Sequence, residues 1–201
     1  MAGRPRAFDR GQALRRARDA FWERGYEGTS MADLIAAMGI SSASIYAAFG
    51  SKEALFREAV ADYDASDGGV TTRALAEEPT ARAALHRMLV DAVALFTRPG
   101  TPHGCMVVLS APRAAKENEG VSDWLSSQRH ARHAAILDRI RDAWDRGEIK
   151  PEADPVMLAD FYTTFLQGLS VQARDGFSKE RMMASVDSAM QVFDAVVQRP
   201  S

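Results

Sequence analysis

The chain is predicted to be all-α, an N-terminal three-helix helix-turn-helix head followed by a larger helical body. Three observations carry that prediction. Apolar residues recur at helical spacing through most of the chain, as at Leu85, Met88, Leu89, Ala92, Val93 and Phe96. No segment alternates apolar and polar residues with β-branched enrichment between turns, so no strands are expected. Glycines fall where short helices have to end, at Gly25, Gly28, Gly39 and Gly50.

The elements follow in order. Asp9 with Gln12 forms a capping box and Phe8 a hydrophobic staple, so a helix starts there and runs through Leu14, Ala17, Phe21 and Trp22 to Gly25 and Gly28. Thr29 or Ser30 caps a second helix through Met38, and Ser41 caps a third carrying Ile45, Tyr46 and Phe49. Ser51 opens a connecting helix over residues 51–63, and the glycines and acids of residues 64–79 mark a flexible join. Further helices are expected over residues 80–98, over 104–118 with a bend at Pro112, and over 122–147 with Trp124, Leu125, Leu137, Ile140 and Trp144 inward. The last two, 154–173 and 178–198, are apolar over more than one face, so they form either the centre of the body or an interface with a second chain. The division expected is a head over residues 1–50 and a regulatory and dimerisation body over residues 51–201.

Composition excludes several classes. At 201 residues and 46% hydrophobic the chain builds its own core without staples. Its single cysteine, Cys105, rules out an internal disulfide and suits a reducing compartment, so a cytoplasmic protein is expected. No apolar region follows the N-terminal arginines as in a secretory signal, and no apolar run approaches the about 20 residues of a membrane span. The net charge of -2 hides an asymmetry, because residues 1–18 hold six arginines against Asp9 alone. A basic end on a mildly acidic body is the distribution of a nucleic-acid-binding segment joined to something else.

Function concentrates between residues 29 and 55, T-S-M-A-D-L-I-A-A-M-G-I-S-S-A-S-I-Y-A-A-F-G-S-K-E-A-L. Two short helices joined at Gly39-Ile40-Ser41 make a helix-turn-helix, whose second helix lies in a DNA major groove. Leu34, Met38, Ile40, Ile45 and Phe49 pack inward, leaving Ser42, Ala43, Ser44, Ala47 and Ala48 toward base edges and Tyr46 and Lys52 toward phosphates. Thr29-Ser30, Gly39-Ile40-Ser41, Ile45-Tyr46, Phe49 and Ser51-Lys52-Glu53-Ala54-Leu55, preceded by F-W-E-R-G-Y-E-G, resemble the DNA-binding domain of the tetracycline-repressor (TetR) family. The resemblance implies a homodimeric regulator, released from a palindromic double-stranded operator by a small molecule, with Thr29 and Ser30 beside the DNA. Two departures, Ala32 and Ala47-Ala48, make direct base readout sparse. Gly3-Arg4-Pro5-Arg6 resembles a minor-groove hook, with Arg4 and Arg6 reading groove shape.

In the body, Met88, Phe96, Met106, Trp124, Gln128, Phe161 and Phe165 are candidate lining for a cavity holding a mainly apolar effector. Leu166, Leu169, Met190, Phe193 and Val197 are the candidate dimerisation residues, with Gly168 allowing close backbone approach. His103, Cys105, His130 and His133 lack the paired spacing of a zinc site, and no hydrolase, zincin or P-loop motif is present, so neither cofactor nor metal nor catalysis is expected. Two alternatives stay open: a DNA-binding factor without a small ligand, and a small enzyme using Cys105 or the histidines.

Overall fold

The computed structural model describes residues 8–110 and 118–197, and among these the only non-helical pairing is one antiparallel bridge between Ile149 and Val197. The head is α1 (Arg10–Gly28), α2 (Met31–Met38) and α3 (Ser42–Phe49), followed by α4 (Lys52–Ala65). Each start is capped at a residue the sequence names, although Asp9 and Gln12 make only the first of the two bonds of the expected capping box. The Asp9 carboxylate accepts from Gln12 N at 2.9 Å, Ser30 and Asp33 form a reciprocal capping box, and Ser41 and Ser51 accept from Ser44 N and Ala54 N. Gly25 kinks α1 with φ 73°, and Gly39 ends α2 in the left-handed region at φ 70°, ψ 24°, where a side chain would be strained.

The body comprises α5 (Val70–Glu77), α6 (Ala81–Phe96), the single turn α7 (Met106–Leu109), α8 (Glu119–Asp145), α9 (Pro155–Arg174) and α10 (Lys179–Asp194). Residues 64–79, expected to be a flexible join, are instead a 3-10 turn leading into α5. The acids there are ion-paired, Asp67 with Arg98 at 2.9 Å and Glu78 with Arg87 at 3.0 Å, and Thr71, Ala74 and Leu75 are buried. The glycines serve close packing rather than mobility. The expected helix over 104–118 is reduced to α7 in its described part, since Gly104 at φ 81° and Cys105 at φ -89°, ψ 126° hold the chain extended; the bend at Pro112 lies outside the described residues. Toward the C-terminus, α10 stops at Asp194, and the chain turns to bond Lys150 N to Val196 O at 2.9 Å. Trp144, expected inward, is 40% exposed, and its indole N–H donates to Pro151 O at 3.3 Å.

The core joins head to body through aromatics. Phe56 of α4 meets Phe21 of α1 edge-on at 5.0 Å, Tyr26 at 5.1 Å and Trp124 of α8 at 6.0 Å. Trp22 of α1 reaches into the body and donates to Gly104 O at 2.9 Å. The head is therefore packed onto α4 and α7 rather than tethered.

The dimerisation residues chosen from sequence need correcting. Leu169, Met190 and Phe193 are buried within the single chain, and Leu166 and Val197 pack partly against the same core. The physical reason is that α9 and α10 are apolar on two faces, and these residues belong to the faces by which α9 packs on α6 and α8 and α10 packs on α6 and α9. The free face of α9 carries Met157, Phe161 and Val171, exposed by 65%, 37% and 46%, with the exposed Gly168 between them.

Candidate nucleic-acid interface and effector cavity

The axes of α2 and α3 are bent 91° apart, within the range of helix-turn-helix pairs. Ile45 and Phe49 anchor α3 on the head's core, and Leu34 and Met38 anchor α2. That rotation exposes Ser42, Ala43, Ala47 and Tyr46, the last at 50%. Ser44 and Ala48 are half-buried, and the Ser44 hydroxyl lies 3.0 Å from that of Ser41. Of the residues expected at phosphates, Lys52 is half-buried at the first turn of α4, its ammonium 4.4 Å from the centre of the Tyr26 ring. Burial lowers the Lys52 pKa, against the pull of Glu27 and Asp33.

The Thr29 side chain is not on the surface. It is wholly buried, and its hydroxyl donates to Gly25 O at 2.7 Å, stitching the kinked end of α1. Ser30 is exposed, but its hydroxyl donates to Asp33 at 2.5 Å within the capping box. Hydrogen bonds from Ser30, followed by the neighbouring Arg24, hold the Asp33 carboxyl below its ordinary pKa. The basic end is also less free than its count of arginines suggests. Arg10 pairs with Glu58 at 2.7 Å and Arg18 with Asp62 at 3.0 Å, so both tie α1 to α4. Arg4 and Arg6 lie outside the described residues.

The body contains a narrow cavity of about 30 Å³ between α4, α6, α8 and α9, lined by Tyr63, Phe96, Cys105, Arg129, Arg132 and Thr163 among others. Of the lining expected from sequence, only Phe96 borders it; Gln128 lies along an adjacent cleft of about 200 Å³. Met88 and Met106 are solid core, Phe165 packs partly against that core, Trp124 covers Phe56, and Phe161 is on the outer face of α9. A stripe read from helical spacing names the inward side of each helix, but not which inward residues meet a void. The cavity is also far below the about 300 Å³ expected of a preformed ligand site.

Polar chemistry concentrates beside Cys105, with partners that sequence reading did not place there. The Arg132 guanidinium donates to Cys105 Sγ at 3.2 Å and pairs with Asp64 of α4. Burial works to lower the Arg132 pKa, but Cys105 and Asp64 raise it overall. Asp64 itself is raised by burial, with Arg132 opposing. Arg129 Nη1 and Thr163 Oγ1 are buried without hydrogen-bond partners, and Tyr63, whose hydroxyl faces Cys105 and the Met106 backbone, lines the same cavity. The three-residue spacing of Arg129 and Arg132 on α8 was the available signal, lost because a charge pair on a long helix ordinarily faces solvent. Among the described residues no cluster of His, Cys, Asp and Glu can hold a metal ion, and no single helix is long and apolar enough to cross a membrane.

Residues 13–59 match the family model for bacterial regulatory proteins of the tetR family, and residues 80–183 match the tetracyclin repressor-like C-terminal domain. The HTH-type transcriptional repressor ComR of Escherichia coli (strain K12) is 32% identical over 97% of this chain and 93% of its own length. The repressor BdcR of the same organism is 28% identical over 98% of this chain and 95% of its own length. Among solved structures, a cysteine mutant of the TetR-family transcriptional regulator CifR, complexed with 26-base-pair double-strand operator DNA, is 46% identical with a TM-score of 0.89, covering 94% of this chain and 98% of that one. A TetR regulator from Rhodococcus sp. RHA1 is 36% identical with a TM-score of 0.62, covering 95% and 100%. Members of this family act on operator DNA as dimers and answer to small-molecule effectors. With both family models matched in order and relatives aligned along nearly their whole length, the chain belongs to the TetR family of DNA-binding transcriptional regulators.

Proposed function

We propose that the chain is a homodimeric repressor that holds a palindromic operator through two α3 helices and releases it when a small molecule enters the body. The observation that carries this reading is the outward face of α3, apolar-small and polar, standing free on a head whose buried side is fully packed. In this reading Ser42, Ala43 and Ala47 meet base edges, Tyr46 and Lys52 meet phosphates, and Arg4 and Arg6 add minor-groove contacts. Residues 1–50 form the DNA-binding unit, residues 51–201 the regulatory and dimerisation unit, and the protein works in the cytoplasm without catalysis. Half-sites one DNA turn apart lie about 34–36 Å from each other, a span that calls for two heads. The second chain is assigned to the free face of α9 with α10 beside it, as a four-helix bundle.

The test is footprinting of the purified protein on the DNA upstream of its own reading frame. Two protected half-sites related by a dyad are expected, and absence of any protected palindrome would overturn the reading. Within that complex, Lys52→Ala is expected to weaken specific and non-specific binding alike and to lower the salt slope of log K by about one unit per half-site. Unchanged affinity at physiological salt would leave Lys52 as a cover for the Tyr26 ring only. For release, an effector has to prefer the DNA-incompetent spacing of the heads; about a hundredfold preference, roughly 2.7 kcal/mol, suffices.

A further inference from the structure

We propose that the body binds a small apolar monocarboxylate, its carboxylate held by Arg129 of α8 and Thr163 of α9 where the narrow cavity meets the neighbouring cleft. Arg129 Nη1 and Thr163 Oγ1 are buried without hydrogen-bond partners, and both residues line the cavity. A buried donor left unpaired is costly, most of all when it carries charge. A guanidinium stays protonated in a protein, so Arg129 is a half-buried cation without a counter-ion. The neighbouring carboxylates are already engaged, Asp64 with Arg132 and Asp160 with His133 Nε2 at 2.7 Å. Burial, and next the like charge of Arg132, lower the Arg129 pKa, with Cys105 opposing; an anion beside Arg129 acts in the opposite direction.

The missing partner is therefore an anion with acceptor oxygens, and its surroundings narrow the class. A carboxylate takes two parallel bonds from a guanidinium fork and accepts a further one from a hydroxyl. One unpaired cation calls for one negative charge. Much of the remaining cavity wall, with Leu95, Phe96, Val108 and Ile136, is apolar, so a doubly charged phosphate loses water there without compensation. The same wall suits a short hydrocarbon body behind the carboxylate.

Space and coupling agree with this. The cavity of about 30 Å³ admits a few carbon atoms, and Arg129, Thr163 and Gln167 line both it and an open cleft of about 440 Å³. Rotation of these three side chains opens a route inward and leaves the carboxylate at their level. Bound there, the anion ties α8 to α9. It also competes with Asp64 of α4 for the positive charge of Arg132, which stands three residues from Arg129 on α8. Tyr63 of α4 borders the same cavity, so filling it presses on α4, the helix on which the head is packed.

The release step rests on the repressor reading; the binding site does not. The experiment titrates the full-length protein with hexanoate by isothermal calorimetry and follows operator affinity by fluorescence anisotropy. One hexanoate per chain is expected, with 1-hexanol and inorganic phosphate each at least about tenfold weaker. From propanoate to hexanoate, affinity should rise about fourfold per methylene. Arg129→Met keeps the apolar stem; it should lose at least about tenfold in hexanoate affinity while hexanol affinity stays the same. The same variant should melt no lower than the parent, because the charge removed has no partner. Thr163→Val should lose about threefold to tenfold for hexanoate. Saturating hexanoate should lower operator affinity at least about tenfold in the parent and not in Arg129→Met. Absence of hexanoate binding, hexanol or phosphate binding as tightly, unaltered binding in Arg129→Met, or a melt of that variant several degrees below the parent would each overturn the site. Hexanoate bound through Arg129 with operator affinity unchanged would overturn the release step. Untreated protein that never binds operator would sink the repressor reading, while calorimetry still decides the site.

Discussion

A Phe161→Glu variant is expected to sediment as a monomer and to lose at least about a hundredfold in operator affinity. Phe161 lies on the free face of α9, stacked on Phe165 at 6.2 Å and flanked by Met157, Gly168 and Val171. Gly168 has nothing within 4 Å of where a Cβ would stand, so a second backbone has room to approach there. An apolar strip of this kind on a single chain is the mark of an interface. A carboxylate introduced there is buried without a partner on association, at a cost of several kcal/mol per chain. Because Phe161 is 37% exposed within one chain, the substitution leaves the fold of the monomer intact, and unchanged far-UV circular dichroism checks that. Leu169→Glu is the contrasting variant: Leu169 is 2% exposed, and a charge there should unfold the chain rather than separate two chains. A Phe161→Glu dimer by sedimentation would move the interface off α9.

The contrast between those two residues shows what sequence could and could not deliver. Helix positions were legible because caps and stops are local chemistry: Asp9, Ser30, Ser41 and Ser51 each bond the backbone within three residues. The head was legible for the same reason, since Gly39 and the Ile45/Phe49 pair are set by one turn of chain. Faces within the body were not. Helical spacing names two apolar sides of α9 without saying which meets α6, so Leu169 and Phe161 look alike until the chain is folded. The cavity was illegible for a further reason. Asp64, Tyr63, Cys105, Arg129 and Arg132 come from three separate segments, and long-range ion pairing such as Asp64 with Arg132 leaves no periodic trace. Residues 64–79 were misread by the same mechanism, since glycines and acids look like a linker when the arginines that pair with them are distant in sequence.

The largest effect on stability is expected at Phe56. Phe56→Ala should cost about 3–5 kcal/mol and lower the melting temperature by roughly 10 °C. The side chain is fully buried and makes three ring contacts, with Phe21 and Tyr26 of α1 and Trp124 of α8. No neighbour can collapse into the space without moving, because Phe21 is itself fully buried, Tyr26 nearly so, and Trp124 sits beneath the Arg57 guanidinium 5.1 Å from its ring centre. Trp124→Ala is the control. Trp124 is only half-buried, so its loss should be milder although the removed side chain is larger. Differential scanning calorimetry separates the two. The functional consequence follows from where the hole opens, between α1, α4 and α8. That is one of the joints between body and head, beside the Trp22–Gly104 contact, so Phe56→Ala at temperatures well below its melt should bind operator more weakly and respond less to anything bound in the body. A loss of under about 1 kcal/mol would mean that the head is held by the Arg10–Glu58, Arg18–Asp62 and Trp22–Gly104 contacts instead of by this aromatic cluster.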